Sequence, residues 1–308
     1  MQADEPYEAG LDLAVYREPL ALDEPFRIMD GDGGDPGRCL QIVLAELERD
    51  GTAAVLSRSL QHLSGDLGKD RELLRALLTI RGPRALSGPA EAALDLLLEA
   101  ERADRTVVAP ATLPRTHGRV VIWRGDTTLL GADAVVNAAN DRMLGCFIPF
   151  HRCIDNAIHS AAGPRLRRDC DQLMRLQRQA IGLPTEPTGR AKATRGYHLP
   201  ARYVIHTVGP IVHHTLTAAQ REALASCYRS CLDLAARLPS VRSIGICAIS
   251  TGVFGFPRDA AARIAVATVD TWLAEHPGRL DQIVLNPFTS EDEVDYRNAA
   301  ADHRWEHA

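Results

Sequence analysis

The sequence predicts an α/β layered domain with a largely parallel or mixed sheet, preceded by a small helical extension. Three observations predict it. Downstream of the proline-bearing connector Ala109-Pro110-Ala111-Thr112-Leu113-Pro114, short apolar runs alternate with segments of helical periodicity. Upstream of it, Leu-rich segments carry apolar residues at three and four spacing, separated by turn signals. Residues of chemical character follow directly after several of the apolar runs, which is where sheets of this class bind their ligands.

The elements follow in order. The stretch to about residue 35 is rich in Asp, Glu, Pro and Gly with few apolar repeats, and is expected to be irregular or draped over the body. Helical periodicity then marks residues 39–48, 53–63, 72–80 and 90–103, with turns at Asp50-Gly51, Gly65-Asp66 and Arg81-Gly82-Pro83. Their apolar stripes read as packing faces. Buried strands are expected at 119–123, 134–137, 203–208, 243–249 and 282–286, and helices at 151–162, 165–181, 218–238, 258–276 and 290–301. The division drawn is an extension over 1–110 and the layered domain over 111–308.

Composition bounds the function. A chain of 308 residues with 45% hydrophobic and 24% charged residues and a net charge of -5 can bury a sizeable core, and has no overall attraction for nucleic acid or an anionic membrane. No run of about 18 apolar residues occurs, and the N-terminus is acidic where a secretory signal is basic and then apolar, so the expected location is cytoplasmic. Seven cysteines, an odd number without a regular framework, favour reduced thiols and metal chemistry.

The sharpest motif is Cys146-x4-His151-x-Cys153, which closely follows Asn137-Ala138-Ala139-Asn140. Two thiols and an imidazole form a zinc set, and three protein donors leave a tetrahedral ion one vacant position, as in catalytic sites. Two other readings stay open: core thiols beside a surface histidine without metal, or a closed centre in which Cys170 supplies a fourth donor. Cys39, Cys227, Cys231 and Cys247 lie on apolar faces and read as small buried hydrophobes. His213-His214 reads as exposed loop.

A second motif is Ser250-Thr251-Gly252-Val253-Phe254-Gly255-Phe256-Pro257, which links a strand to a helix. Glycines let the backbone approach a ligand closely and amides at a helix N-terminus hold phosphate, or the segment serves only to connect the strand to the helix. The aromatic faces of Phe254 and Phe256 suit a ribose or base, or the core. Asp126, after the first strand, reads as an acceptor for an adenine amine or as a turn cap. Asn140 offers donor and acceptor to sugar hydroxyls, and Asn137 is expected to serve an internal turn. No strand is followed by Gly-x-Gly-x-x-Gly, which argues against an NAD dehydrogenase.

These landmarks in order resemble a macrodomain: Gly125-Asp126-Thr127-Thr128, Val136-Asn137-Ala138-Ala139-Asn140, Ile158-His159-Ser160-Ala161-Ala162-Gly163, the 189–200 segment with Thr194, Gly196, Tyr197 and Leu199, Val208-Gly209-Pro210, and the 250–257 loop. The resemblance spans about residues 118–300. It implies a three-layer α/β/α fold with a mixed sheet that binds ADP-ribose. Leu144-Gly145-Cys146-Phe147-Ile148-Pro149-Phe150-His151-Arg152-Cys153-Ile154-Asp155-Asn156, where the family is usually glycine-rich, is similar to the zinc-containing branch of protein-ADP-ribose hydrolases, as is the preceding helical extension.

The resemblance implies that Asp126 and the Thr127 backbone meet adenine, that Asn140 meets the distal ribose, and that Ser250, Thr251, Gly252, Val253, Phe254, Gly255 and Phe256 embrace the diphosphate and nearby sugar. Cys153, Ile154, Asp155 and Asn156 would line the same cleft. Thr127 departs from the apolar residue many relatives carry. The expected activity is zinc-dependent removal of mono-ADP-ribose from acidic side chains of modified proteins, with one zinc ion per chain on Cys146, His151 and Cys153. Asp155 would orient or deprotonate water, Asn156 and Asn140 would orient the sugar, and His159, one helical turn on, would support Asp155 or touch the ligand. The alternatives are a reader that binds ADP-ribose without cleaving it, and a hydrolase of small ADP-ribose esters. The expected partners are ADP-ribose and a mono-ADP-ribosylated protein, with neither nucleic acid nor membrane.

Overall fold

Odd and even residues of the strands face different cores, and that alternation builds the molecule in layers. The computed structural model describes residues 10–29, 35–52, 54 and 66–305. Six strands, β1 (Val120–Ile122), β2 (Ala134–Ala139), β3 (Ala191–Arg195), β4 (Tyr203–Val208), β5 (Ser243–Cys247) and β6 (Gln282–Asn286), form one sheet in the order β1-β6-β5-β2-β4-β3. All neighbours are parallel except β3, which runs antiparallel to β4 at the edge. Val120, Ile122, Val136, Ile205, Ile283 and Leu285 join one core with α7 (Ala218–Arg237), α8 (Arg258–Glu275) and α9 (Ser290–Asp302). Val121, Val135, Val204 and Val284 join another with α5 (Ile154–Ala162) and α6 (Pro164–Ile181). The sheet is mixed and lies between two helical layers, as expected.

Upstream, α2 (Pro36–Arg49), α3 (Leu67–Ile80) and α4 (Gly88–Ala103) close around a hydrophobic cluster of their own that includes Leu40, Val43, Leu47, Leu74, Leu77 and Leu94. The helix expected over 53–63 lies outside the described residues, residue 54 aside. Polar contacts seat this helical unit on the larger one. Asp95 of α4 accepts from the backbone N–H of Met29 at 2.8 Å, pairs with Arg165 and lies 3.1 Å from His198 Nε2.

Three details differ from the sequence reading. The first is α1 (Leu13–Arg17), a helical turn in the stretch expected to be irregular or draped; Leu11, Leu13, Tyr16, Leu20 and Leu22 are buried in the main core. The second is β3, whose Ala-Lys-Ala-Thr-Arg sequence has no apolar run. It is a strand because β4 pairs with it and because its buried Lys192 meets Glu186 at 2.8 Å. The third is the start of α5, expected at residue 151. The helix begins at Ile154 because Cys153 is its cap, its Sγ accepting from the Asn156 N–H at 3.4 Å. Among the described residues no helix is long and apolar enough to cross a membrane.

Candidate functional site at the carboxyl edge of the sheet

Parallel strands deliver their following loops to one edge. Asp126 follows β1, the 250–256 loop follows β5 and Asn140 follows β2. Three strand spacings separate β1 from β2 in the sheet order, about 14 Å along the edge, which suits an elongated ligand lying across the strand ends.

At the β2 end, Asn140 donates to the Gly145 carbonyl at 3.1 Å and lies 3.4 Å from Asp155 Oδ2, while its own Oδ1 accepts from Arg142 N–H at 3.0 Å. Asp155 is buried in the first turn of α5, where the helix dipole favours an acid. Asn137 does not serve a turn as expected. It is fully buried within β2, and its amide donates to Asp155 Oδ1 at 2.8 Å. Burial pushes the Asp155 carboxyl up to about 6, with Asn137 and the Arg167 cation pulling the other way. His159 Nε2 lies 3.5 Å from Asp155 Oδ1, and burial, reinforced by the nearby Arg167 cation, holds the ring neutral.

The donor loop precedes α5. One ligating atom each from Cys146, His151 and Cys153 falls within 4.8 Å of the others, and Cys146 Sγ lies 3.4 Å from His151 Nδ1. Burial pushes the Cys153 thiol up to about 12, an environment in which a thiolate needs a compensating cation. Two sulfurs and a ring nitrogen at this separation fit zinc. Cys170 is not a fourth donor of this group: it is buried beside His206, 3.8 Å from Nε2, in a separate cluster with His159. Cys39, Cys227, Cys231 and Cys247 are buried, and His213 and His214 are exposed.

The loop holds its shape for two reasons that periodicity does not reveal. Gly145 has φ +82°, and a side-chain carbon there would stand 2.9 Å from the His159 ring, so only glycine fits. Arg167, buried on α6, donates to the Leu144 carbonyl at 2.8 Å and stacks over Phe147 at 4.4 Å. Its Nη1 donates to the carbonyls of Leu78 and Thr79, at 2.9 and 3.0 Å, so one side chain fastens the donor loop to the end of α3. Between them a cavity of about 30 Å³ is walled by Arg71, Arg75 and Leu78 on one side and Cys146, Asn156 and His159 on the other, room for a water molecule. Asn156 spans from the Ile148 carbonyl, to which it donates at 3.0 Å, to Ser160, from which it accepts at 3.1 Å. Ile154 is half-buried beside it.

Along the edge, the 250–256 loop is held by its own carbonyls. Gly255 N–H donates to Gly252 and Phe256 N–H to Ser250, both at 3.0 Å, leaving Gly252 and Val253 exposed, Thr251 and Phe254 half-buried. Ser250 has φ +66° and is buried against Gly209, where any side chain would collide with Ser250 Oγ. Phe256 does not offer its ring to a ligand. It is 2% exposed and belongs to the main core, so the aromatic face next to the loop is that of Phe254.

At the β1 end, Asp126 fills the cap position: its Oδ1 accepts from the N–H and hydroxyl of Thr128 at 2.9 and 2.6 Å. Its other oxygen pairs with Arg105 at 2.7 Å, and the residue is exposed. Thr127 is buried with its hydroxyl on Asn286, which explains a hydroxyl where an apolar residue is usual. Asn286, Arg167 and His206 were missed by the sequence reading. A histidine inside the apolar run Tyr203-Val204-Ile205-His206-Thr207-Val208 was the available signal for the last.

This architecture has known counterparts. Residues 136–265 match the Macro domain family model. A protein-ADP-ribose hydrolase from Treponema medium is 43% identical over 235 residues, covering 75% of this chain and 87% of its own. One from Staphylococcus aureus strain MRSA252 is 42% identical over 229 residues, covering 74% and 84%. Among solved structures, the Trypanosoma brucei macrodomain in complex with ADP-ribose superposes with a TM-score of 0.56 at 33% identity, covering 73% of this chain and 94% of that one. The fold, the ordered edge loops and the extent of these matches agree: the chain belongs to the macrodomain family.

Proposed function

We propose that the protein is a zinc-dependent hydrolase that removes mono-ADP-ribose from acidic side chains of modified proteins. The observation that carries this reading is the convergence, at one end of the strand edge, of the Cys146–His151–Cys153 donors with the buried carboxylate of Asp155. The similarity to protein-ADP-ribose hydrolases supports it.

The ligand lies along the edge. Asp126 and the Thr127 backbone take the adenine, the 250–256 loop takes the diphosphate with its backbone and the Phe254 face, and Asn140 takes the distal ribose. Cys153, Ile154 and Asn156 wall the end of the cleft. Asp155, held by Asn137 and beside Asn140, is placed to orient or deprotonate the attacking water, and a carboxyl raised to about 6 is ionised yet basic near neutral pH. Asn156 orients sugar hydroxyls. Cys146, His151 and Cys153 would hold zinc, which when bound supplies Lewis acidity toward a sugar or ester oxygen or toward water.

The test is release of ADP-ribose from a carboxylate-ADP-ribosylated protein, with metal quantified on the same preparation. Stoichiometric zinc and loss of release in chelator are expected. Full release by metal-free protein would remove zinc from the reaction.

A further inference from the structure

Behind Asp155 a line of buried side chains crosses the sheet from β2 to β3. Asn137 Nδ2 stands 2.8 Å from Asp155 Oδ1 and 3.1 Å from His206 Nδ1, and His206 Nε2 stands 2.9 Å from Thr194 Oγ1. Asn137, His206 and Thr194 are each 0% exposed. Asn137 and His206 are direct partners across β2 and β4, so the strand register itself brings them together.

The geometry fixes the arrangement: Asn137 presents its NH2 nitrogen, Nδ2, to Asp155 Oδ1, and that nitrogen has only hydrogens to offer. The same nitrogen faces His206, so its second hydrogen points at Nδ1, which must be the bare ring nitrogen. The ring proton then sits on Nε2, where Thr194 Oγ1 accepts it. Full burial keeps the ring neutral, holding its pKa down to about 3, so a doubly protonated ring does not compete near neutral pH. Asn137 Oδ1 has no hydrogen-bond partner among the described residues. The aim of the amide therefore depends on its two acceptors, Asp155 and His206. In the opposite tautomer a ring N–H would face an amide N–H, and the repulsion would turn Asn137 away from the carboxylate.

We infer that His206 is a positioning residue for Asp155, acting through Asn137: its bare Nδ1 aims the Asn137 amide, which fixes the carboxylate oxygen it touches. The inference rests on the proposed role of Asp155 in hydrolysis, but its central statement concerns the protein without substrate.

Two measurements test it. Long-range nitrogen–proton NMR of the histidines at pH 8 should assign the His206 proton to Nε2; a proton on Nδ1 would overturn the inference. His206→Asn keeps an acceptor near the place of Nδ1, whereas His206→Phe does not. On a carboxylate-ADP-ribosylated protein, His206→Phe should lose about ten-fold or more in kcat with the ADP-ribose Kd within about two-fold of wild type, and His206→Asn should recover most of the loss. Equal loss in both variants, or a loss confined to Kd, would mark His206 as structural only. If His206→Phe does not fold, the proton assignment decides alone. Wild-type turnover by Asp155→Asn would instead overturn the role of Asp155 while leaving the ring assignment intact, so the two failures are distinguishable.

Discussion

Arg105 reaches from just beyond α4 to Asp126 at the end of β1, and the two ends meet at 2.7 Å on the open edge where the sequence reading placed adenine. Both side chains are nearly half exposed, 44% and 43%, so the pair contributes at most about 1 kcal/mol. Asp126→Ala removes an acceptor and should weaken ADP-ribose binding by about ten-fold or more, whereas Arg105→Ala should change it by less than about three-fold. Calorimetric titration reads both, and wild-type affinity in the Asp126 variant would reject the adenine contact.

Removing a sulfur from the donor loop separates binding from turnover. Cys146→Ala and Cys153→Ala should lose zinc and hydrolysis, while the ADP-ribose Kd shifts less than about five-fold, because the 250–256 loop and Asp126 are built on other strands. Metal content, single-turnover release and titration on one preparation check this. Either variant hydrolysing like wild type would contradict it.

Arg167 should dominate the stability of the seam. Alanine there leaves the carbonyls of Leu78, Thr79 and Leu144 without their donor in a buried setting, which should cost about 3 kcal/mol or more. Urea unfolding measures it. Lysine should not rescue, because one ammonium cannot reproduce the guanidinium fork that spans α3 and the donor loop.

The buried histidines set an acid limit. His206 is held down to about 3 from 6.5, so between those values the unfolded chain binds a proton that the folded chain does not. The His206 contribution is therefore complete above about 6.5 and falls as pH drops toward 3, by roughly 2 kcal/mol at pH 5. His159, also lowered, acts in the same direction. The urea midpoint should fall between pH 7.5 and 5, and less steeply in His206→Asn. The raised carboxyls of Asp155, Asp169 and Glu186 pull the midpoint the other way in both proteins, so a fall as steep in His206→Asn as in the wild type would refute the burial of the His206 ring as a neutral group.

Much of this was legible because alternation and helical spacing report burial directly. The runs at β4 and β6 coincide with their strands, and the C-x4-H-x-C spacing marked three donors that converge. What escaped depends on contacts distant in sequence. Nothing local distinguishes Arg167 from Arg165 or Arg168, since its burial is decided by the end of α3. The polar strand β3 exists through its partner, not its own pattern. Asn137 looks like a loop residue because asparagine is rare inside strands, and only the register with His206 reveals its use.

The N-terminal stretch holds a practical lesson in the contact between Tyr16 and β3. The tyrosine hydroxyl accepts from the Ala193 N–H at 3.3 Å, on the side of the edge strand that no strand among the described residues covers. A fragment begun at residue 111 would keep every proposed ligand contact, yet it would bare this strand margin and uncover the apolar surface now sheltered by Leu11, Leu13, Leu20 and Leu22. Such a shortened protein would be sticky in solution, so assays of the isolated sheet domain should retain the chain from residue 10 onward.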